Sequence, residues 1–165
     1  MIYATLKELD KTGLQTSVLR KNAKGKQRIP YYKIMEQCGL PFAIECASAT
    51  KRYDKIWRTI AIEYAVLTTT YVGQNIYDSV IAARQYLDGR ITSDMMREAF
   101  NRSLADSELG NMKGMQYKAA VSCIFSAHQC PYTALRWTSL WAANNEIKRK
   151  EQETIFYNAT KFLDR

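Results

Sequence analysis

The 165-residue sequence predicts an all-α, single-domain protein: an antiparallel helical bundle or an irregular stack of helical hairpins, with about six to seven helices. Two observations carry that expectation. The chain holds 7 Gly and 3 Pro, about half the usual combined share, which disfavours turn-rich sandwiches, collagen-like repeats and low-complexity linkers. Apolar residues recur at steps of three and four through most of the chain, while period-two alternation is scarce. A domain of this length buries roughly 70% of the surface its unfolded chain exposes, so it needs no disulfide or metal to hold a core.

Residues 1–30 read as a basic N-terminal arm attached to a helical domain spanning 31–165. The arm holds Lys7, Lys11, Arg20, Lys21, Lys24, Lys26 and Arg28 against only Glu8 and Asp10. Ile2 to Leu9 suggests a short helix or strand, and residues 21–28 an exposed loop closed by Pro30. Helical spacing starts at Tyr31, breaks at Gly39 and restarts at Pro41, a residue suited to a first helical turn because its missing N–H would be unpaired there. Phe42, Ala43, Cys46 and Ala47 give the new helix an apolar face.

The clearest periodic segment follows. Tyr53, Ile56, Trp57, Ile60, Tyr64, Leu67 and Tyr71 predict a helix with one buried side that ends near Gly73. Residues 67–72 are β-branched enough to read as a strand in the minority alternative. Asn75 is placed to cap the next helix, with Ile76, Val80, Ala83 and Leu87 inward and Gly89 at its end. Thr92 or Ser93 caps another, with Asp94 set favourably against the helix dipole, Met96, Ala99, Phe100, Ser103 and Leu104 facing inward, and Gly110 closing it.

Residues 118–130 are small and apolar on nearly every side, as in a helix packed among others. Beyond Pro131 there is no further Gly or Pro. Leu135, Leu140 and Trp141 form one apolar cluster, and Ile155, Phe156, Ala159, Phe162 and Leu163 another, with charged residues 148–153 between them. Residues 132–163 therefore form either one helix of roughly 45 Å or two helices broken at Asn144 and Asn145.

The same residues narrow the function. No segment is apolar and long enough to cross a bilayer, and the N-terminus lacks the basic-then-apolar order of an export signal. Four cysteines without a C-x-x-C pair fit a reduced, cytoplasmic chain. His128 is the sole histidine, and Cys123 and Cys130 lie two helical turns apart, too far to share an ion from a straight helix. There is no phosphate loop, dinucleotide fingerprint or nucleophile elbow. The expectation is a non-enzyme with no catalytic residue, metal or cofactor.

The strongest signal outside the core is the arm. Arg20, Lys21, Lys24, Lys26 and Arg28 fall within nine residues, and Tyr31 and Tyr32 follow. Cations on phosphates with rings on bases would suit nucleic acid. The same charge suits docking on an acidic protein, or only a solvated, mobile arm. Of the net charge of +8, residues 1–35 contribute +6 and residues 36–165 contribute +2, so the helical body is close to neutral.

One stretch carries a family likeness. The segment 79–92, Ser-Val-Ile-Ala-Ala-Arg-Gln-Tyr-Leu-Asp-Gly-Arg-Ile-Thr, resembles a helix of the immunity proteins associated with bacterial polymorphic toxin systems. Residues 58–65 resemble that family's preceding helix, and residues 119–127 and 146–163 its later ones. The resemblance implies no catalytic residue and a role in binding and blocking a toxin. It points to a bacterial or phage protein, immunity-like, that inhibits or sequesters a protein partner. The alternative is nucleic-acid binding through the arm, and self-association is open.

Overall fold

Thr5 does two jobs at the start of the chain. It ends a short strand, β1 (Tyr3–Thr5), and caps the helix that follows, α1 (Leu6–Asp10). Its hydroxyl accepts the Glu8 N–H at 3.2 Å while Glu8 Oε2 accepts the Thr5 N–H at 2.7 Å, a reciprocal box that satisfies two donors at once. A computed structural model shows this arrangement and describes residues 1–23, 28–67, 74–109, 132, 135–136, 138–139 and 146–163.

β1 pairs antiparallel with β2 (Arg28–Pro30), aligning Tyr3 with Pro30, Ala4 with Ile29 and Thr5 with Arg28. Ala4 and Ile29 are buried, whereas Tyr3, Thr5 and Arg28 lie on the other side of the ribbon. Between the strands runs α2 (Ser17–Ala23), which buries Leu19 and Ala23. Pro30 then stands at the N-cap of α3 (Tyr31–Cys38), its extended backbone serving both strand and cap. Gly39, at φ +82°, turns the chain into α4 (Leu40–Ala47). That left-handed backbone is cheap for glycine, and Pro41 sits in the first turn as its spacing implied.

A 3-10 turn (Lys51–Tyr53) leads into α5 (Asp54–Val66), the centre of the fold. Trp57 is buried there among Tyr31 (ring centroids 4.8 Å, edge-on), Tyr53 (6.3 Å) and Phe156 (6.2 Å, stacked). Three buried polar tips in this region are paired: Trp57 Nε1 donates to Thr50 O, Tyr31 Oη to Cys46 O, and Tyr64 Oη to Gln152 O. Phe156 and Gln152 come from α8 (Glu146–Phe162).

The helical hairpin α6 (Gln74–Leu87) and α7 (Ser93–Leu109) turns at Gly89, φ +71°. Val80, Ala83 and Met96 are buried with Ile62 and Ala65 of α5 in a second, smaller cluster. Ser79 Oγ donates to Ala99 O at 2.8 Å across the hairpin. Thr92 is the cap of α7, since its hydroxyl accepts the Met95 N–H.

The outcome is a mostly α single domain, with eight α-helices and one two-stranded sheet among the described residues. Several expectations are corrected. Residues 1–30 are no separate arm: Ile2, Ala4, Leu9, Leu19, Ala23 and Ile29 join the same core as Trp57 and Phe156. The Ile2 N–H donates to Thr160 O at 2.9 Å, and the Tyr31 N–H to Ile2 O at 3.2 Å, so both ends of the chain are stitched together. Of the stretch read as a loop at 21–28, residues 21–23 lie in α2 and Arg28 in β2, and residues 24–27 lie outside the described residues.

α5 stops at Val66 rather than near Gly73, and Asn75 lies inside α6 instead of capping it. Ser139 and Gln152 do not lie on one straight helix, which sets aside the single-helix alternative for this stretch. Gln152 Nε2 donates to Ser139 O at 3.1 Å, although thirteen residues of continuous helix would separate them by roughly 20 Å. Residues 68–73, Gly110, the helix expected over 118–130, and His128 with Cys123 and Cys130 lie outside the described residues. Among those described, no helix is long and apolar enough to cross a membrane.

Candidate binding face

The ribbon β1–β2 and the 3-10 turn place a set of cations and rings on one surface. Tyr3 faces away from the core, and the exposed Arg28 guanidinium lies 4.6 Å from its ring centroid. Arg52, from the 3-10 turn, lies 5.4 Å from the Tyr3 ring and 4.7 Å from that of Tyr53, and its Nη2 donates to Tyr3 O at 2.9 Å. Planar guanidinium stacking of this kind orders a long side chain that would otherwise be mobile.

Arg52 also pairs with Glu8, through Nη1 to Oε1 and through Nη2 to Oε2 at 3.2 Å. The Arg52 guanidinium holds the Glu8 carboxyl at about 2, assisted by the Thr5 bonds and only partly opposed by burial. Glu8 raises Arg52 in return. Asp10 is engaged in the same way: Arg20 Nη2 donates to it at 2.5 Å and Thr16 Oγ1 at 3.1 Å, with Arg20 the main cause of its lowered pKa.

Both acids of the N-terminal segment are thus committed to internal partners. Lys7, Lys11, Lys21, Arg28 and Lys33 are exposed, and no carboxylate among the described residues lies within ion-pair distance of them. Their charge is available to an outside partner.

The site expected from the sequence is only partly assembled. Arg20 is paired with Asp10, Lys21 and Arg28 are exposed, and Lys24 and Lys26 lie outside the described residues. Tyr31 is fully buried, its hydroxyl bonded to Cys46 O and Thr50 Oγ1, so the expectation that it stacks on a ligand is corrected. Tyr32 is half-buried, edge-on to Tyr157 at 5.4 Å, with Lys161 Nζ 5.5 Å from its ring. Neighbouring positions on a helix differ by about 100°, which puts one tyrosine in the core and the other at the surface.

Tyr3 and Arg52 were absent from the sequence-derived site. Thr5 and Glu8 do carry a readable signal, the spacing of a capping box, but the meeting of Arg52 with Glu8 spans 44 residues and has no local signature.

Other chemistry is muted where it is described. Burial pushes the Cys46 thiol up to about 12 and raises Cys38, which keeps both as poor nucleophiles. Among the described residues, no group of three or more His, Cys, Asp or Glu is placed to hold a metal ion. A scan against protein-family models found no match, and searches of curated proteins and of solved structures returned none either.

Proposed function

We propose that this chain is a non-enzymatic binding protein that inhibits or sequesters an acidic protein partner through its N-terminal face. One observation carries the reading: the exposed cations Lys7, Lys11, Lys21 and Arg28 belong to a segment locked into the core whose own acids, Glu8 and Asp10, are consumed internally, and Lys33 is exposed on α3. A cationic surface steers encounter with an anionic partner, and a fixed surface binds without the entropy cost of ordering a flexible arm. The partial likeness to immunity proteins points in the same direction. Loss of Tyr31 from the surface weighs against base stacking, the second half of the nucleic-acid alternative.

The test is affinity capture from native cells, with and without nuclease, using the wild type and a variant with all five cations changed to alanine. A protein that survives nuclease, elutes with salt and is lost with the variant supports the proposal. Capture indifferent to the substitutions contradicts it. Retention of nucleic acid alone, abolished by nuclease, replaces it with the nucleic-acid reading.

A further inference from the structure

Two guanidiniums share one ring on the outer side of the ribbon, and only one of them has a counter-charge. Arg52 lies 5.4 Å from the Tyr3 ring centroid, and its Nη1 donates to Glu8 Oε1 while its Nη2 donates to Oε2. Arg28 reaches the same ring from β2 at 4.6 Å and is exposed, with no carboxylate among the described residues within ion-pair distance. Glu8 is committed elsewhere: both its oxygens accept from Arg52, and Oε2 also takes the Thr5 N–H and hydroxyl.

The ring that carries Arg28 is itself fixed. Tyr3 is strand-paired with Pro30 and stands edge-on to the buried Tyr53, with centroids 6.4 Å apart. A guanidinium held on a fixed ring has given up much of its rotamer freedom before a partner arrives, so less is lost on binding. Among the described residues, no ring or carboxylate orders Lys7, Lys11, Lys21 or Lys33 in this way.

The rings also discriminate between anions. Tyr3 already carries both guanidiniums, and Tyr31 and Tyr53 are buried, so no described ring beside the ribbon is left to stack on bases. A carboxylate needs none, and the fold has already seated one, that of Glu8, on a guanidinium resting on Tyr3.

We propose that Arg28, positioned by Tyr3, is the anchor of the cationic face and takes the side-chain carboxylate of an acidic residue of the protein partner as a two-pronged pair. It is the outward counterpart of Arg52 with Glu8. The lysines around it supply attraction at a distance rather than a defined contact. This deepens the acidic-partner reading and rests on it.

The test is titration of the full chain with hexaglutamate blocked at both ends, at low ionic strength, followed by fluorescence anisotropy of the labelled peptide. Heptathymidylate of equal charge is the phosphate probe. Arg28→Lys keeps the charge and the ring contact but loses the fork, and is expected to weaken hexaglutamate about fivefold, against at most about twofold for Lys7→Ala. Tyr3→Leu is expected to weaken binding about threefold in the wild-type background and to add nothing to Arg28→Ala. Equal weakening in both backgrounds would be the mark of a merely structural role and overturns the positioning by Tyr3. Arg28→Lys no weaker than Lys7→Ala, with binding lost in the five-cation variant, overturns the anchor and leaves the acidic-partner reading standing. Hexaglutamate binding that survives in the five-cation variant, or is absent from the wild type at millimolar concentration, removes that reading as well. Heptathymidylate bound more tightly than hexaglutamate overturns the choice of a carboxylate.

Discussion

The N-terminal segment and the α6–α7 hairpin both present much polar surface, yet they are held by different means. The segment sends Ile2, Leu9, Leu19 and Ile29 into the cluster that also contains Trp57 and Phe156, and its backbone bonds to Thr160. The hairpin rests on a small cluster of Val80, Ala83 and Met96 with Ile62 and Ala65, rimmed by the Arg84–Glu63 ion pair. That pair is well exposed on both sides, so it adds little to stability. Net charge thus says little about how firmly a segment is attached. A few large aliphatic side chains at irregular spacing, each fully buried, decide it.

The comparison can be broken most sharply at Ile2. Truncation of Ile2 to alanine is expected to cost about 3 kcal/mol of global stability, read from the urea midpoint, because the side chain is fully buried. An appended arm would tolerate the change within about 0.5 kcal/mol. Met96→Ala is expected to cost about 2 kcal/mol, at the low end for a buried methionine. Its effect should be local: faster hydrogen exchange in α6 and α7, with the amides of α5 around Ile60 unchanged. Equal acceleration in both places would make the hairpin part of the main cooperative unit.

The smallest effect sharpens the electrostatic side. The fold holds Glu8 at about 2, below its ordinary 4.5, so the ionised form is favoured in the folded state. Its contribution is complete above pH 4.5 and is lost as the pH falls through about 2. Glu8→Gln keeps the reach of the capping box but removes the charge. The variant should be about 1 kcal/mol less stable at neutral pH, after allowance for screening of a partly exposed pair, and the gap to wild type should close by about pH 2. A gap that persists unchanged in acid would show that the lost stability is not ionic.

Much of the helical frame was legible. Ile56, Trp57, Ile60 and Tyr64 stand in the sequence at helical spacing and are buried together on α5, and Gly39, Pro41, Gly89 and Thr92 mark real boundaries. The ribbon was not legible, because two strands of three residues separated by 22 others have no periodicity to show. The sequence around Leu9 and Leu19 is dominated by charge, which hid how deeply both are buried. Tyr31 and Tyr32 are chemically identical neighbours whose fates depend on the rotation of α3 against Trp57. The cation set was half-read for the same reason: its charges were visible, but which acids would neutralise them depended on folding.

The central claim, that the N-terminal segment belongs to the main core, is tested most directly by native-state hydrogen exchange at Ile2 and Tyr31. Their N–H groups donate to Thr160 O and Ile2 O, bonds that tie the segment to α8 and to the start of α3. Both amides are expected to exchange with the same opening free energy as Ile60 in α5, that of global unfolding. Exchange close to the unprotected rate while Ile60 remains protected would contradict it, and would return residues 1–30 to the status of an arm.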